Sequence, residues 1–491
     1  IINWENNGSE IKKCKGARPQ NLQYYFKPMI CCQALTNNEN AYKYESGGKI
    51  QDVNYRFMTI SEKYLKIFLG LMNTSIVSHV TAVFSGTTAL NIYDLLRFPI
   101  VVENGSLVKE FVNQNISISK SDWDSFETSW DFAEHPLLVT SGKCIVNRKS
   151  SVNAKLSTNN FSLTTNNAQL TTNNSSLSTI AQAYQRWKAV CNERFAQLKA
   201  NEEELNRIFI DIYGLQDELT PEVEEKDVTV HRIFDSKDDV PEAMKGSNYI
   251  LTQQQVVKSL ISYAVGCMFG RYSLDKPGLV YAGGEWDADN YRTFAADKDA
   301  IIPISDNEYF NDDIVARFVE FIKTAFGADE KTLEANLNFI ATALGGNGSA
   351  RDVIRAYFNN GFYADHCKTY QKRPIYWLFD SGKKNGFKCL IYMHRYQKDT
   401  IARIRTDYLH EQQSRYRTAI SDLQNRIDNA ASTGVRVKLQ KQLATVQAQV
   451  EEARLYEEKI HRLADQMLEI DLDDGVKHNY AIFKDVLAKI K

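Results

Sequence analysis

The amino-acid sequence predicts an α+β protein, in which a small, mostly-β N-terminal domain precedes a largely α-helical region that ends in an antiparallel coiled-coil helical hairpin. Three observations support this prediction. Short apolar segments alternate with Asn- and Gly-rich turns in residues 1–105. Apolar side chains recur at helical spacing after residue 178, and at spacings that alternate between three and four in residues 400–491.

With 491 residues, the chain is too long for one compact domain. We predict four segments along the chain: an N-terminal domain at 1–135, a linker or insertion at 136–178, a helical domain at 179–399, and the helical hairpin at 400–491. The second segment repeats Thr, Ser and Asn every seven residues. These residues are poor helix formers, so we interpret the segment as a flexible linker, with stacked β-arches as the alternative.

In the N-terminal domain, residues 22–26 and 41–44 are predicted strands, because short apolar runs are bounded there by turn-forming residues. Residues 61–80 are predicted to form one helix, with Ser61 as its N-cap. A long helix is predicted from Ile180 to about Gly214, since its apolar residues fall on one face.

The glycine-rich segment 344–348 has the outline of a nucleotide-binding loop, but such a loop must follow a buried strand. Here the preceding residues have a helical pattern and Ser349 can cap a second helix, which favours a helix-to-helix link. Residues 373–396 are predicted to form a β-hairpin whose turn is Gly382–Gly386. Two helices then follow, and Gly434 lies between them.

Composition excludes several classes of protein. The formal net charge is -2, so the chain is not a globally basic nucleic-acid coat, and any polyanion site must be a local patch. No apolar run approaches the roughly 18 residues that a membrane span needs, and no signal peptide opens the sequence. The 8 cysteines include no C-x-x-C pair. We therefore expect a cytoplasmic protein without membrane contact, and with reduced thiols.

Two local basic clusters are candidate polyanion contacts. Residues 366–445 contain 16 Lys or Arg against 6 Asp or Glu, a net charge of +10. Basic side chains bind phosphates, Arg can pair with guanine, and Gln or Asn can pair with adenine. The alternative is that both clusters are solvated surface. The candidate DNA-binding residues are Lys12, Lys13, Lys15, Arg18, Gln20, Asn21 and Lys27 in one cluster, and Lys383, Lys384, Lys388 and Arg395 in the other.

No residues commit the chain to a reaction. It has no phosphate-binding P-loop and no metal-ligand spacing, and the adjacent pairs His366-Cys367 and Cys31-Cys32 are poor chelators. We therefore assign no catalytic, cofactor-binding or metal-binding residue. Residues 199–250 carry a net charge of -8, which we interpret as solvated surface, with a docking surface for a basic partner as the alternative.

Four segments resemble the PglX family, the adenine-specific DNA methyltransferases of BREX phage-defence systems. They are Arg18–Lys27, which is similar to the start of the family's target-recognition domain, the run D-W-D-S-F-E-T-S-W-D-F at 122–132, and residues 259–274 and 372–396. The resemblance spans nearly the whole chain. It implies that residues 1–135 form a DNA target-recognition domain, with double-stranded DNA and other BREX proteins as partners.

The sequence also departs from the family pattern. Residues 28–32 replace the family's usual G-I-T-W, which affects the expected DNA target, not the expected role. No two of the 9 prolines are adjacent, so the N-P-P-Y/F motif that holds a flipped adenine does not occur. The resemblance therefore implies the C-terminal part of such an enzyme, without its catalytic domain. S-adenosylmethionine is expected as the cofactor of the parent enzyme, not of this chain.

A rival hypothesis comes from a different functional class. The helical hairpin and the acidic segment 199–250 could make the chain a protein-interaction scaffold that docks other defence proteins. A complete enzyme is disfavoured by the missing motifs. Because the sequence opens with Ile1-Ile2-Asn3-Trp4, which is typical of the inside of a strand, we also expect this chain to be a piece of something longer.

Overall fold

The structure is a computed structural model, and it describes residues 5–17, 19, 21–33, 41–47, 55–84, 98–101, 104–142 and 178–490. Helices dominate the described residues, and three small sheets accompany them. The architecture is therefore α+β. The Asn/Ser/Thr repeat at 157–174 lies outside the described residues.

The chain divides into two compact units that are discontinuous in sequence. The first unit comprises residues 1–121, 192–231 and 241–249. The second comprises residues 122–191, 232–240 and 250–491. One long helix, Ile180–Tyr213, contributes residues to both units. The contiguous domain boundaries predicted from the sequence stay a prediction.

In the first unit, a three-stranded antiparallel sheet has the order β2-β1-β3. The strands are β1 (Met29–Gln33), β2 (Lys43–Glu45) and β3 (Tyr55–Met58), and Ile30 pairs with both outer strands. Short apolar side chains in β1 are buried along most of its length. Among the described residues of this region, helices nevertheless outnumber strands, so the predicted mostly-β character is not seen there.

The helices of the first unit are α1 (Glu5–Lys13), α2 (Glu62–Met72), α3 (Ser75–Phe84), α4 (Gly105–Trp123) and the second part of α6 (Ile180–Tyr213). The backbone of α1 is interrupted at Asn6–Gly8, where φ is positive. The core of this unit includes Ile30, Leu65, Phe68, Leu71, Val108, Val112, Leu205 and Phe209.

One glycine sets the distance between two helices of the first unit. A Cβ atom on Gly70 of α2 would lie 2.8 Å from the Val112 side chain of α4, so only glycine permits this contact. The chain also breaks after α2, where the predicted single helix 61–80 becomes two. Asn73 lies in that break, and its amide exchanges hydrogen bonds of 3.0 Å with the backbone N–H and carbonyl of Tyr42.

The second unit contains the short helix α5 (Pro136–Thr140) and the first part of α6. It is built around α7 (Gln253–Met268), which is buried on most of its faces. The helices around it are α8 (Ile314–Phe326), α9 (Glu330–Leu344), α10 (Ala350–Asn360) and α11 (Phe362–Thr369). Thr252 and Gln255 form a capping box that begins α7. Ser349 and Asp352 do the same for α10, so the predicted helix-to-helix link at 344–348 is present.

Two sheets belong to the second unit. The parallel pair β4 (Arg232–Phe234) and β5 (Ile250–Thr252) leads into α7. The other sheet is antiparallel in the order β6-β8-β7, with β6 at Ile301–Pro303, β7 at Tyr376–Asp380 and β8 at Lys388–Tyr392. Strands β7 and β8 form the predicted hairpin, whereas β6 is too short for its sequence to have indicated a strand.

The final helices follow this sheet. A short helix α12 (Thr400–Arg403) passes through a π-helical segment, Ile404–Leu409, into α13 (His410–Asp428). Ser432 then caps the long helix α14 (Thr433–Ala464), and α15 (Val476–Ile482) ends the series. Leu423, Ile427 and Leu439 form a small buried cluster between α13 and α14. A supercoiled seam between these two helices stays a prediction.

No helix in the described part of the chain combines the length and hydrophobicity that crossing a membrane requires.

Candidate nucleic-acid interface

The first basic cluster lies at the end of α1. Lys12 and Lys13 are its last two residues, and Lys15 lies in the turn that follows. All three side chains are exposed, as contact with a phosphate requires. Arg18 and Gln20, which we predicted to read base edges, lie outside the described residues.

A short turn presents the rest of this cluster. Residues 22–26 were predicted to form a strand, but Leu22–Tyr24 is a single 3-10 turn. The prediction is wrong because Asn21 and Phe26 both have left-handed backbone angles, with φ of 57° and 60°, which a strand excludes. Asn21 and Lys27 are exposed on either side of the turn, beside the partly exposed ring of Tyr24.

The second basic cluster is centred on the turn between β7 and β8. Lys383 and Lys384 are exposed there. A carboxylate from α14, Glu452, holds the turn in place. It accepts hydrogen bonds from the Ser381 hydroxyl at 2.8 Å, the Lys384 backbone N–H at 2.9 Å and the Gly386 backbone N–H at 3.0 Å. Burial alone would raise the pKa of Glu452, but these hydrogen bonds lower it overall.

Lys388 does not share this exposure. Its side chain is only 6% exposed, and its ammonium group donates a 3.0 Å hydrogen bond to the Asn359 carbonyl. It pairs in register with Asp380, whose pKa is raised by burial and partly restored by the Lys388 charge. A buried ammonium group cannot reach a DNA phosphate, so we leave Lys388 out of the proposed interface.

Arg395 is also held by the protein itself. Its guanidinium donates hydrogen bonds to the carbonyls of Asp297 at 2.7 Å, Lys298 at 3.0 Å and Phe269 at 3.3 Å. The group also lies 4.0 Å from the centre of the Trp286 ring. These contacts give Arg395 a structural role, and we leave it out of the proposed interface too.

Several residues that we assigned no role meet in a buried polar centre of the second unit. Glu127 accepts a 2.6 Å hydrogen bond from the Ser262 hydroxyl. Arg271 lies 5.2 Å from the Tyr272 ring centre and 5.7 Å from the Tyr370 ring centre. Burial raises the pKa of Glu127, although Arg271 partly opposes the shift. This contact brings together segments 122–132 and 259–274, two of the four segments that resemble the PglX family.

A third such segment enters the same centre. The His366 Nε2 atom accepts 3.1 Å hydrogen bonds from the backbone N–H groups of Ile375 and Tyr376, and its ring stacks on Tyr376 at 4.7 Å. Burial lowers the pKa of His366 to about 3, so the ring is neutral at pH 7. The centre is shielded from solvent and joins distant segments. No spacing in the sequence could have indicated it.

Carboxylates also cluster near the π-helical segment. The Tyr408 hydroxyl lies 3.0 Å from a carboxylate oxygen of Asp299 and 3.0 Å from one of Asp312. Burial raises the pKa of nearby Asp297, and together with the charges of Asp299 and Asp312 it brings this pKa to about 7. Throughout the residues that the structure describes, however, no three His, Cys, Asp or Glu side chains are placed to hold a metal ion.

Comparison with known proteins identifies relatives along the whole chain. It is 38% identical over 493 residues to the adenine-specific methyltransferase PglX of Lacticaseibacillus casei (strain Zhang), a match that covers 98% of this chain and 37% of the relative. It is 32% identical over 509 residues to the adenine-specific methyltransferase BrxX of Escherichia coli O9:H4 (strain HS), covering 100% of this chain and 38% of the relative. No family model matches.

These matches confirm the resemblance that the four sequence segments predicted. The chain spans little more than a third of the length of the relatives that it matches. Along essentially its whole length, this chain is similar to one portion of the adenine-specific methyltransferases PglX and BrxX.

Proposed function

We propose that this chain is the DNA-binding and target-recognition portion of a site-specific adenine-N6 DNA methyltransferase of a BREX phage-defence system. The observation that carries the proposal is the full-length match to little more than a third of two adenine-specific methyltransferases. The absence of adjacent prolines from the 491 residues supports a division of labour in which another part of the enzyme holds the flipped adenine.

The residues of the two basic clusters would contact DNA in two ways, through its phosphates and through its base edges. Lys12, Lys13 and Lys15 in the first unit, and Lys383 and Lys384 in the second, would neutralise phosphates and so contribute affinity without sequence preference. Arg18, Gln20 and Asn21 would reach base edges, where Arg pairs with guanine and Gln or Asn pairs with adenine. Lys27 would contact the backbone beside them.

S-adenosylmethionine is the methyl donor expected for the parent enzyme, and among the described residues the one glycine-rich segment with the outline of such a loop does not have its setting. The glycine-rich segment 344–348 joins α9 to α10, whereas a cofactor loop of this kind follows a buried strand. We therefore assign the cofactor to another part of the enzyme. Double-stranded DNA and other BREX proteins remain the proposed partners, in the cytoplasm.

A salt-dependent gel-shift titration tests the proposal. The full chain is titrated against a 30-base-pair duplex at several NaCl concentrations between about 50 and 200 mM. At the lowest salt concentration we expect a dissociation constant in the micromolar range or tighter. The logarithm of the association constant should fall linearly with the logarithm of the salt concentration. A chain that binds no duplex at 50 mM NaCl would contradict the proposal.

A second test concerns base recognition. We expect Arg18→Ala and Gln20→Ala to relax the bases selected from a randomised duplex library more than they weaken overall binding. The matched control is Lys12→Ala, which should weaken binding to all sequences about equally. If both variants select the same bases as the unaltered chain, these residues do not read DNA.

A protein-interaction scaffold is the second candidate. The acidic segment 199–250, which carries a net charge of -8, supports this candidate as a surface for a basic partner. The gel-shift titration separates the two candidates, because a scaffold has no need for salt-sensitive DNA binding.

A further inference from the structure

The turn at residues 22–26, which we call the apolar turn, exposes large apolar side chains within the first basic cluster. Leu22, Tyr24 and Phe26 leave 38%, 47% and 42% of their surface exposed to solvent. Single exposed apolar residues are common, but three of them within five positions form a patch, and such patches mark binding sites. The proposed DNA contacts of this cluster give the three side chains no role.

The backbone of the apolar turn is closed by its own hydrogen bonds. The Tyr24 N–H group donates to the Asn21 carbonyl at 2.9 Å, and the Tyr25 N–H group donates to the Leu22 carbonyl at 3.2 Å. The Lys27 N–H group donates to the Tyr24 carbonyl at 3.4 Å. A defined backbone, and not a long loop, therefore carries the exposed side chains.

The base of the apolar turn is anchored on the rest of the first unit. A Cβ atom on Gly47 would lie 2.6 Å from the Phe26 carbonyl oxygen, and Gly47 has a positive φ of 95°. Glycine is therefore required where the two segments meet. Beyond Phe26 the chain enters β1, whose first four residues are buried. The turn is thus fixed at its base while its apolar side chains remain in solvent.

Backbone strain supplies a second, independent indication of function. Asn21 and Phe26 flank the turn with φ of 57° and 60°. Asn adopts the left-handed region readily, but a bulky residue such as Phe rarely does, because its Cβ atom crowds the backbone. Strain of this kind persists only where the surrounding structure enforces it, and it is concentrated at binding and catalytic sites. Here it accompanies an exposed ring and not a buried one.

The charge around the apolar turn indicates its partner. Residues 12–27 contain 5 Lys or Arg and no Asp or Glu, a net charge of +5. Lys12, Lys13, Lys15 and Lys27 are exposed. This charge is complementary to the DNA backbone, which carries one negative charge per about 1.7 Å of helix axis. Proteins that bend DNA insert apolar side chains from basic surfaces of this kind between neighbouring base pairs.

We propose that the apolar turn is a wedge that enters the base stack of bound double-stranded DNA. Leu22 separates two neighbouring base pairs, and the Tyr24 ring stacks on the base face that this exposes. The lysines hold the phosphates on either side. The separated step is a pyrimidine–purine step, because such steps unstack most easily. The inference rests on the proposed DNA-binding function and adds to it the deformation of the duplex.

Fluorescence of 2-aminopurine tests the wedge with the full chain. A 30-base-pair duplex that the unaltered chain selects from the randomised library carries this base in place of one adenine at a time. We expect binding to raise the fluorescence at least about twofold at one step, where the base loses its stacking neighbour. Tyr24→Ala and Leu22→Ala should each remove more than half of the rise without changing the salt slope, because neither removes a charge. Tyr24→Phe should keep the rise, since its ring still stacks.

Tyr64→Ala is the matched control, because Tyr64 is a 40% exposed tyrosine of the same unit, and it should leave the rise unchanged. Circular dichroism checks the fold of every variant. Salt-sensitive binding without a rise at any position would overturn the wedge and leave the proposed function standing, as would equal rises in the unaltered chain and both alanine variants. A chain that binds no duplex would overturn both. Self-association without DNA that Tyr24→Ala abolishes would identify a protein-docking surface instead.

Discussion

Two lysines of the same hairpin show how much the position of a side chain decides. Lys383 is exposed in the turn, whereas Lys388 is buried and its ammonium group is bonded to the Asn359 carbonyl. The charge of Lys388 is also the one that opposes the burial of Asp380. One lysine is therefore available to contact a ligand from solvent, whereas the other stabilises the interior of the protein.

We predict that Lys388→Ala destabilises the fold by about 1 to 3 kcal/mol, because a buried carbonyl loses the donor that satisfies it. Urea denaturation of the two proteins measures the difference. Lys383→Ala is the control and should stay within about 0.5 kcal/mol of the unaltered chain. Equal stabilities for all three proteins would show that the Lys388 ammonium reaches solvent.

The raised pKa of Asp297 leads us to predict that the stability of the fold depends on pH. Burial and the nearby carboxylates of Asp299 and Asp312 raise its pKa to about 7 in the folded chain, whereas an unfolded Asp titrates near about 4. The folded state thus holds a proton that the unfolded state has released in this range. Stability should therefore fall as pH rises from about 4 to about 7, and then level off with respect to this group.

The variant Asp297→Asn mimics the protonated carboxyl and should remove that part of the pH dependence. Thermal unfolding at pH 4.5 and pH 7.5 measures it, and the melting temperature of the variant should exceed that of the unaltered chain only at the higher pH. Asp238→Asn, at an exposed position, serves as the control. An unchanged pH profile in the Asp297 variant would contradict the assignment.

Among the structural elements, the β7–β8 hairpin and α14 depend on one carboxylate. Glu452 receives two backbone N–H groups and one hydroxyl from the turn. A Cβ atom on Gly386 would lie 2.6 Å from the Gln449 carbonyl of the same helix, so the turn approaches the helix backbone directly. This contact fixes the position at which Lys383 and Lys384 are presented.

We predict that Glu452→Ala destabilises the protein by about 2 to 3 kcal/mol, since hydrogen bonds to a charged group contribute more than neutral ones. Hydrogen exchange should also become faster at the backbone N–H groups of Lys384 and Gly386. Glu458→Ala, on the same helix, is the control, because its carboxylate pairs with the exposed side chain of Arg454. Its effect on stability should be close to zero. Unchanged exchange at the turn would contradict the role of Glu452.

For the molecule as a whole, DNA affinity should follow the exposed lysines of the hairpin. We predict that Lys383→Ala and Lys384→Ala each lower the salt slope of DNA binding by about 1 and weaken binding to all sequences similarly. The measurement is the gel-shift titration repeated for each variant. Lys323→Ala, which removes an exposed lysine from α8, is the control. Slopes unchanged in both hairpin variants would remove the second cluster from the proposed interface.

Local patterns predicted the elements whose signal is local. Helix α6, the β7–β8 hairpin and the helix-to-helix link before Ser349 follow from periodicity, turn residues and a capping box, which act within a few positions of the chain. The strand predicted at residues 22–26 failed because the left-handed backbone angles of Asn21 and Phe26, one on each side of the 3-10 turn, override its apolar composition. Strand β6 was missed because three residues carry too little pattern.

The basic clusters and the family resemblance were determined by the sequence alone, because charge and residue order are properties of the chain. Only the tertiary structure decided which cations remain available: it exposes Lys383 and Lys384, and it buries Lys388 and binds Arg395 to three carbonyls. It also brought Glu127, Ser262 and Arg271 together from distant segments. The physical reason is that desolvation depends on what packs around a charge, and that packing comes from residues far away in the sequence.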